Sequence, residues 1–118
     1  MAKRILVVDD SNLMRHRIVQ CLNDAGYEVV GKAKDGNEAV ELYQQVRPDV
    51  VTMDITMRGK DGITAAREIL VWDPTAAIIF YTLLDAAMLS GQIAQLAVKS
   101  VIRKGDEEEL LRTLASLC

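Results

Sequence analysis

Asp9 and Asp10 close an apolar run, Arg4-Ile-Leu-Val-Val, and Asp54 closes a second one, Val50-Val-Thr-Met. Neither run shows the polar alternation of a half-solvated strand, so both read as interior parallel strands. Lying side by side, they would deliver Asp9, Asp10 and Asp54 to one crevice at the carboxyl edge of a sheet. Two carboxylates ~4 Å apart at an effective dielectric of about 20 repel by about 4 kcal/mol. A bound cation relieves that cost, and hard oxygen ligands without His or Cys nearby point to Mg²⁺, Mn²⁺ or Ca²⁺ rather than zinc. Magnesium in turn suggests phosphate chemistry.

The elements that must position these acids can be read in chain order. After Asp10, the spacing of Met14, Ile18, Cys21, Leu22 and Ala25 predicts an amphipathic helix that Gly26 terminates. Tyr27 to Ala33 is shorter and more polar and fits a strand at a sheet edge; Asp35-Gly36 opens a helix through Ala39, Val40, Leu42, Tyr43 and Val46 that Pro48 ends. The strand from Asp49 to Met53 is followed by a glycine-bearing loop, Ile55 to Gly62, of the kind that carries sites. A third helix runs from about Ile63 to Val71 or Trp72, and Ala76 to Tyr81 is a β-branched strand ending at Thr82. Asp85 is expected to cap a fourth helix to about Ala97, Ser100 to Arg103 is a short last strand, and Asp106 with Glu109 forms an acidic capping box for a final helix. Strands alternating with helices imply a flavodoxin-like, doubly wound α/β sheet of five parallel strands in the order 2-1-3-4-5, with five helices on its two faces. That order sets Thr82 and Lys104 at the two strand ends beyond Asp54.

With 118 residues, half of them hydrophobic, the chain is expected to form one domain over 1–118. Its longest apolar stretch is far short of the ~20 residues that span a bilayer, so a cytoplasmic protein without membrane contact is expected. The net charge of −3, with no long basic run, argues against direct nucleic-acid binding. Cys21 and Cys118 fall in helical patterns at distant positions, without a CxxC or a histidine at ligand spacing, and read as free thiols. His16 lies off the apolar stripe of its helix and reads as a surface residue; Trp72 reads as a helix-end anchor.

Taken singly, each acid has a plainer reading. Asp9 and Asp10 could be helix caps, Asp54 a turn former, Lys104 a solvated charge. Their coincidence at the carboxyl ends of one sheet outweighs those readings. In Ile5-Leu-Val-Val-Asp9-Asp10, Pro48-Asp-Val-Val-Thr-Met-Asp54-Ile-Thr-Met57 with Asp61-Gly62, then Thr82 and Lys104, the chain resembles over nearly its whole length the receiver domain of bacterial two-component response regulators, and most of all the single-domain chemotaxis type. The strand order deduced above is the known order of such receivers, so it adds no independent support. The resemblance implies that Asp54 accepts a phosphoryl group from a phosphohistidine on a sensor histidine kinase or phosphotransfer protein. It also implies that Mg²⁺ is held by Asp10, by Asp9 through water or orientation, by Asp54 and by the Thr56 carbonyl, and that Thr82 and Lys104 bind phosphoryl oxygens. Such a protein is a signalling switch with a downstream protein target, and its only catalysis is its own phosphotransfer and dephosphorylation.

Four positions depart from the pattern that the resemblance implies: Arg58 and Gly105 replace prolines, Leu83 replaces a small residue, and Val101 replaces an aromatic. Those at 83, 101 and 105 motivate a second reading, an unphosphorylated pseudo-receiver serving as a constitutive interaction domain. A third, a Mg²⁺-dependent phosphohydrolase with Asp54 as nucleophile, needs an acid where Thr56 stands.

Overall fold

Side-chain alternation along the strands divides the core in two, and it is this division that builds the layers. In the computed structural model, which describes residues 3–117, strand β1 (Arg4–Val8) sends Ile5 and Val7 to one face of the sheet and Leu6 and Val8 to the other. Strands β3 (Val50–Met53) and β4 (Ile78–Thr82) do the same and are buried throughout. All pairings are parallel and, among the described residues, the sheet has five strands in the order β2-β1-β3-β4-β5, with β2 at Glu28–Ala33 and β5 at Ser100–Arg103. The doubly wound fold read from the sequence is therefore the fold observed.

One face is covered by α1 (Asn12–Asp24) and α5 (Glu107–Ser116), whose Ile18, Leu22, Leu110 and Leu114 pack on Ile5, Val7, Ile79 and Tyr81. The other is covered by α2 (Gly36–Val46) and α3 (Gly62–Trp72), whose Ala39, Tyr43, Ala66 and Ile69 pack on Leu6, Val51, Met53 and Phe80. Helix α1 ends as expected at Gly26, in the left-handed region (φ +90°), where the Gly26 and Tyr27 N–H groups bond back to the Asn23 and Leu22 carbonyls. Ala25 is the exposed cap rather than part of the buried stripe. Trp72 anchors the end of α3 edge-on to Tyr43, with the Arg47 guanidinium 5.3 Å from the centre of its ring. His16 is exposed, Cys21 is half-buried and free, and Cys118 lies outside the described residues.

Two local expectations need correction. The fourth helix does not run to Ala97: a 3₁₀ turn (Ala86–Leu89) leads into a single α-turn, α4 (Ser90–Ile93). Gly91 costs about 1 kcal/mol in a helix, and among the described residues of this stretch Leu89, Ile93 and Leu96 are the hydrophobic side chains that tie it to the core. At α5 the capping box is half formed, because Asp106 accepts the Glu109 N–H but the Glu109 carboxylate turns to Arg112.

Candidate functional site

The register of the sheet brings the acids together. Val8 stands opposite Met53, so the next residues after the two strands, Asp9 and Asp54, leave the sheet abreast, and the Asp54 N–H donates to the Val8 carbonyl at 3.0 Å. One carboxylate oxygen from each of Asp9, Asp10 and Asp54 lies within 4.8 Å of the others. Asp9 and Asp54 are buried, and Asp10 is exposed at the rim. On the other side of β3, Met53 faces Phe80 and Thr82 faces Arg103, which places Thr82 and Lys104 at the same edge. The Lys104 N–H is fixed to the Thr82 carbonyl at 2.8 Å.

Neither Asp9 nor Asp10 caps α1. Ser11 does, accepting the Met14 N–H, while Asp9 Oδ1 accepts the Ser11 N–H at 2.9 Å. Asp54 Oδ1 accepts the Ile55 N–H at 2.8 Å. Gly62 backs this turn from behind: a Cβ there would stand 2.1 Å from the Asp54 carbonyl oxygen, so only glycine lets α3 begin so close to the acid. Thr56 is exposed two residues beyond Asp54, and the Thr82 hydroxyl accepts the Leu84 N–H at 3.1 Å.

The spacing of acids gives no hint of the role that Lys104 takes. Its side chain, 8% exposed, runs into the cluster and sets Nζ 2.8 Å from Asp9 Oδ2 and 3.1 Å from Asp54 Oδ2. The carboxylate repulsion expected from the sequence is thus partly answered from within the chain. Burial works against the charged form of Lys104, but the Asp9 and Asp54 carboxylates outweigh it and hold the ammonium above its ordinary range. Burial likewise pushes the Asp54 carboxyl up; the Lys104 ammonium pulls it down, the Asp9 charge raises it, and the net shift is upward.

The site suits a hard dication. Its carboxylate oxygens are hard ligands, and among the described residues the buried Asp9 Oδ2 is met by the Lys104 ammonium at 2.8 Å and by no other donor. Asp9, Asp54 and Thr82 are three of the four buried polar or charged residues among those described. The fourth, Thr52, has a buried hydroxyl without a partner that nothing in the structure explains. Sequence reasoning also missed the Tyr81 hydroxyl, which accepts the Gly105 N–H at 2.9 Å directly after Lys104. A tyrosine in an apolar strand carries no signal of such a contact.

Comparison with known proteins agrees with this geometry. The profile of the response regulator receiver domain matches residues 5–115. Protein CcdB of Bacillus subtilis is 45% identical over 105 residues, covering 89% of this chain and 88% of that protein. The chemotaxis protein CheY of the same organism is 44% identical over 104 residues, covering 88% and 87%. Among solved structures, that of the CheX-CheY-BeF3-Mg+2 complex from Borrelia burgdorferi superposes with a TM-score of 0.91 at 31% identity, covering 98% of this chain and 88% of the other.

Proposed function

Because this chain belongs to the response regulator receiver family, we propose that it is a phosphorylation-dependent switch whose phosphoacceptor is Asp54. The observation that carries this reading is the meeting of Lys104 Nζ with Asp9 and Asp54 at one sheet edge, beside a third carboxylate. An Asp54 oxygen attacks phosphorus in line, the bond from phosphorus to the donor breaks, and the leaving group keeps the electron pair. With a phosphohistidine donor, on a sensor histidine kinase or a phosphotransfer protein, that group is an imidazole. Asp9, Asp10, Asp54 and the Thr56 carbonyl would hold Mg²⁺. When bound, that ion neutralises charge on the phosphoryl oxygens. Lys104 moves from carboxylate to phosphoryl oxygen, exchanging one anionic partner for another, and the Thr82 hydroxyl turns from accepting the Leu84 N–H to donating to the same group.

The output is then a changed surface on the elements that carry Thr82 and Lys104, read by a downstream protein. Val101 is half-buried against the core, and as a β-branched aliphatic it lacks the swing of an aromatic reporter. The expected change is therefore concentrated at residues 82–85 and 103–106. Amide NMR spectra with and without Mg²⁺ and a small phosphodonor test this. Shifts centred on those segments are expected, whereas an unchanged spectrum would favour the constitutive pseudo-receiver. A phosphohydrolase is disfavoured by Thr56, a residue without an acid proton where the second acid would stand.

Leu83, 64% exposed, follows Thr82 at the rim of the site. There it would obstruct both the incoming donor and the water that later hydrolyses the acyl phosphate, so both steps are slowed. Leu83→Ala is expected to raise both rates by up to about tenfold, since ~1.4 kcal/mol off each barrier suffices. Stopped-flow phosphorylation and the decay of the phosphorylated protein measure the two rates, and no change in either would show that Leu83 points away.

A further inference from the structure

We infer that Tyr81 is a positioning residue for Lys104, its hydroxyl fixing the turn from which the ammonium reaches Asp54. Lys104 is the first residue of the turn between β5 and α5, directly after Arg103, and its side chain must project into the acid cluster from that turn. Gly105 takes φ +99°, a left-handed conformation that residues with a side chain rarely adopt. Two bonds from the same strand, β4, close on this point from either side of the Lys104 Cα. The Lys104 N–H reaches the Thr82 carbonyl at 2.8 Å, and the Gly105 N–H reaches the Tyr81 hydroxyl at 2.9 Å. The second bond is the one that pins the peptide following Lys104. A third, from the Asp106 N–H to the Arg103 carbonyl at 3.0 Å, is internal to the turn and would move with it.

The anchor is stiff because the ring is fixed. Tyr81 is 2% exposed and lies in the core shared by Ile18, Leu22, Leu110 and Leu114, so its hydroxyl is held at a set point on the α1–α5 side of the sheet. Without that oxygen, the peptide after Lys104 loses its bond to β4; what holds it then, the Glu107 N–H on the Gly105 carbonyl and the Asp106 N–H on the Arg103 carbonyl, both at 3.0 Å, lies within the turn and moves with it, so the ammonium would sample positions off the line to Asp54. Displacements of about 1 Å from productive geometry can cost up to about a hundredfold in rate.

The inference rests on the phosphoacceptor reading, and one set of four proteins separates the two: the parent chain, Tyr81→Phe, Lys104→Ala and the double variant. Tyr81→Phe keeps the buried ring and removes only the acceptor; a melting curve establishes that it is folded. With Mg²⁺ and a small phosphodonor, Tyr81→Phe is expected to phosphorylate roughly tenfold more slowly than the parent, with Mg²⁺ affinity no weaker than the parent's. In the Lys104→Ala background the same change should cost nothing more, because there is no ammonium left to place. An unaltered rate, or an equal loss in both backgrounds, would overturn the inference. Independently of any phosphorylation, the ¹³Cε resonance of Lys104 should shift or broaden in metal-free Tyr81→Phe; an unchanged resonance would likewise overturn it. A parent chain that takes no phosphoryl group would sink the functional reading alone.

Discussion

Lys104→Ala is expected to bind Mg²⁺ at least as tightly as the parent chain and yet to lose roughly a hundredfold in phosphorylation rate. The two effects have one cause. In the metal-free protein Nζ lies 2.8 Å from Asp9 and 3.1 Å from Asp54, so it competes with any cation for the same oxygens. Removing it leaves two buried carboxylates uncompensated, which should cost the metal-free fold about 3 kcal/mol and increase what Mg²⁺ restores. On the proposed reaction path the same ammonium would be needed at the phosphoryl group, where charge builds on oxygens that a dication alone would not cover. Calorimetric titration with Mg²⁺ and phosphodonor kinetics on the same variant would measure both. Weakened Mg²⁺ binding together with an unchanged rate would place the lysine on the metal side of the chemistry.

Asp10→Ala is expected to remove the stabilisation that Mg²⁺ confers. At a hundred times Kd that stabilisation amounts to about 2.7 kcal/mol, a rise of several degrees in melting temperature. Asp10 is the exposed acid of the three, so its loss should disturb the metal-free fold least. The effect has a pH signature with a definite sign. The Asp54 carboxyl is held above its ordinary value of 3.8, so in acid the ion must displace a proton that the folded state binds more tightly than the unfolded chain does. In the metal-free protein that proton contributes stability below the ordinary carboxyl range, which is lost as pH rises through the raised value. The Mg²⁺-induced rise in melting temperature should therefore fade as pH drops, beginning above 3.8. Equal Mg²⁺ effects in the parent and Asp10→Ala would show that the ion is bound elsewhere.

The interior strands were legible because burial on both faces leaves a continuous apolar run, as in Val50 to Met53, and because the chain punctuates them plainly at Gly26, Asp35, Pro48 and Asp61. From strands alternating with helices the topology followed, and with it the meeting of Asp9, Asp10 and Asp54. Local pattern failed where local energies are nearly balanced. The stretch from Asp85 to Ala97 has a helical spacing of apolar residues, yet Gly91 and a thin set of core contacts leave it as a 3₁₀ turn and one α-turn. Contacts between strand ends were invisible for a different reason. Lys104 on Asp9 and Asp54, and Gly105 on Tyr81, depend on where a long side chain and a ring end in space, separations of 95, 50 and 24 positions in sequence that no periodicity encodes.

Intact-protein mass is the most direct test of Asp54 as the phosphoacceptor. The parent chain, mixed with Mg²⁺ and a small phosphodonor, should gain the mass of a single phosphoryl group, labile to hydroxylamine and alkali as an acyl phosphate is, while Asp54→Asn treated alike should gain none. A parent chain that stays unmodified, or an adduct that persists in Asp54→Asn or maps to His16, would contradict it.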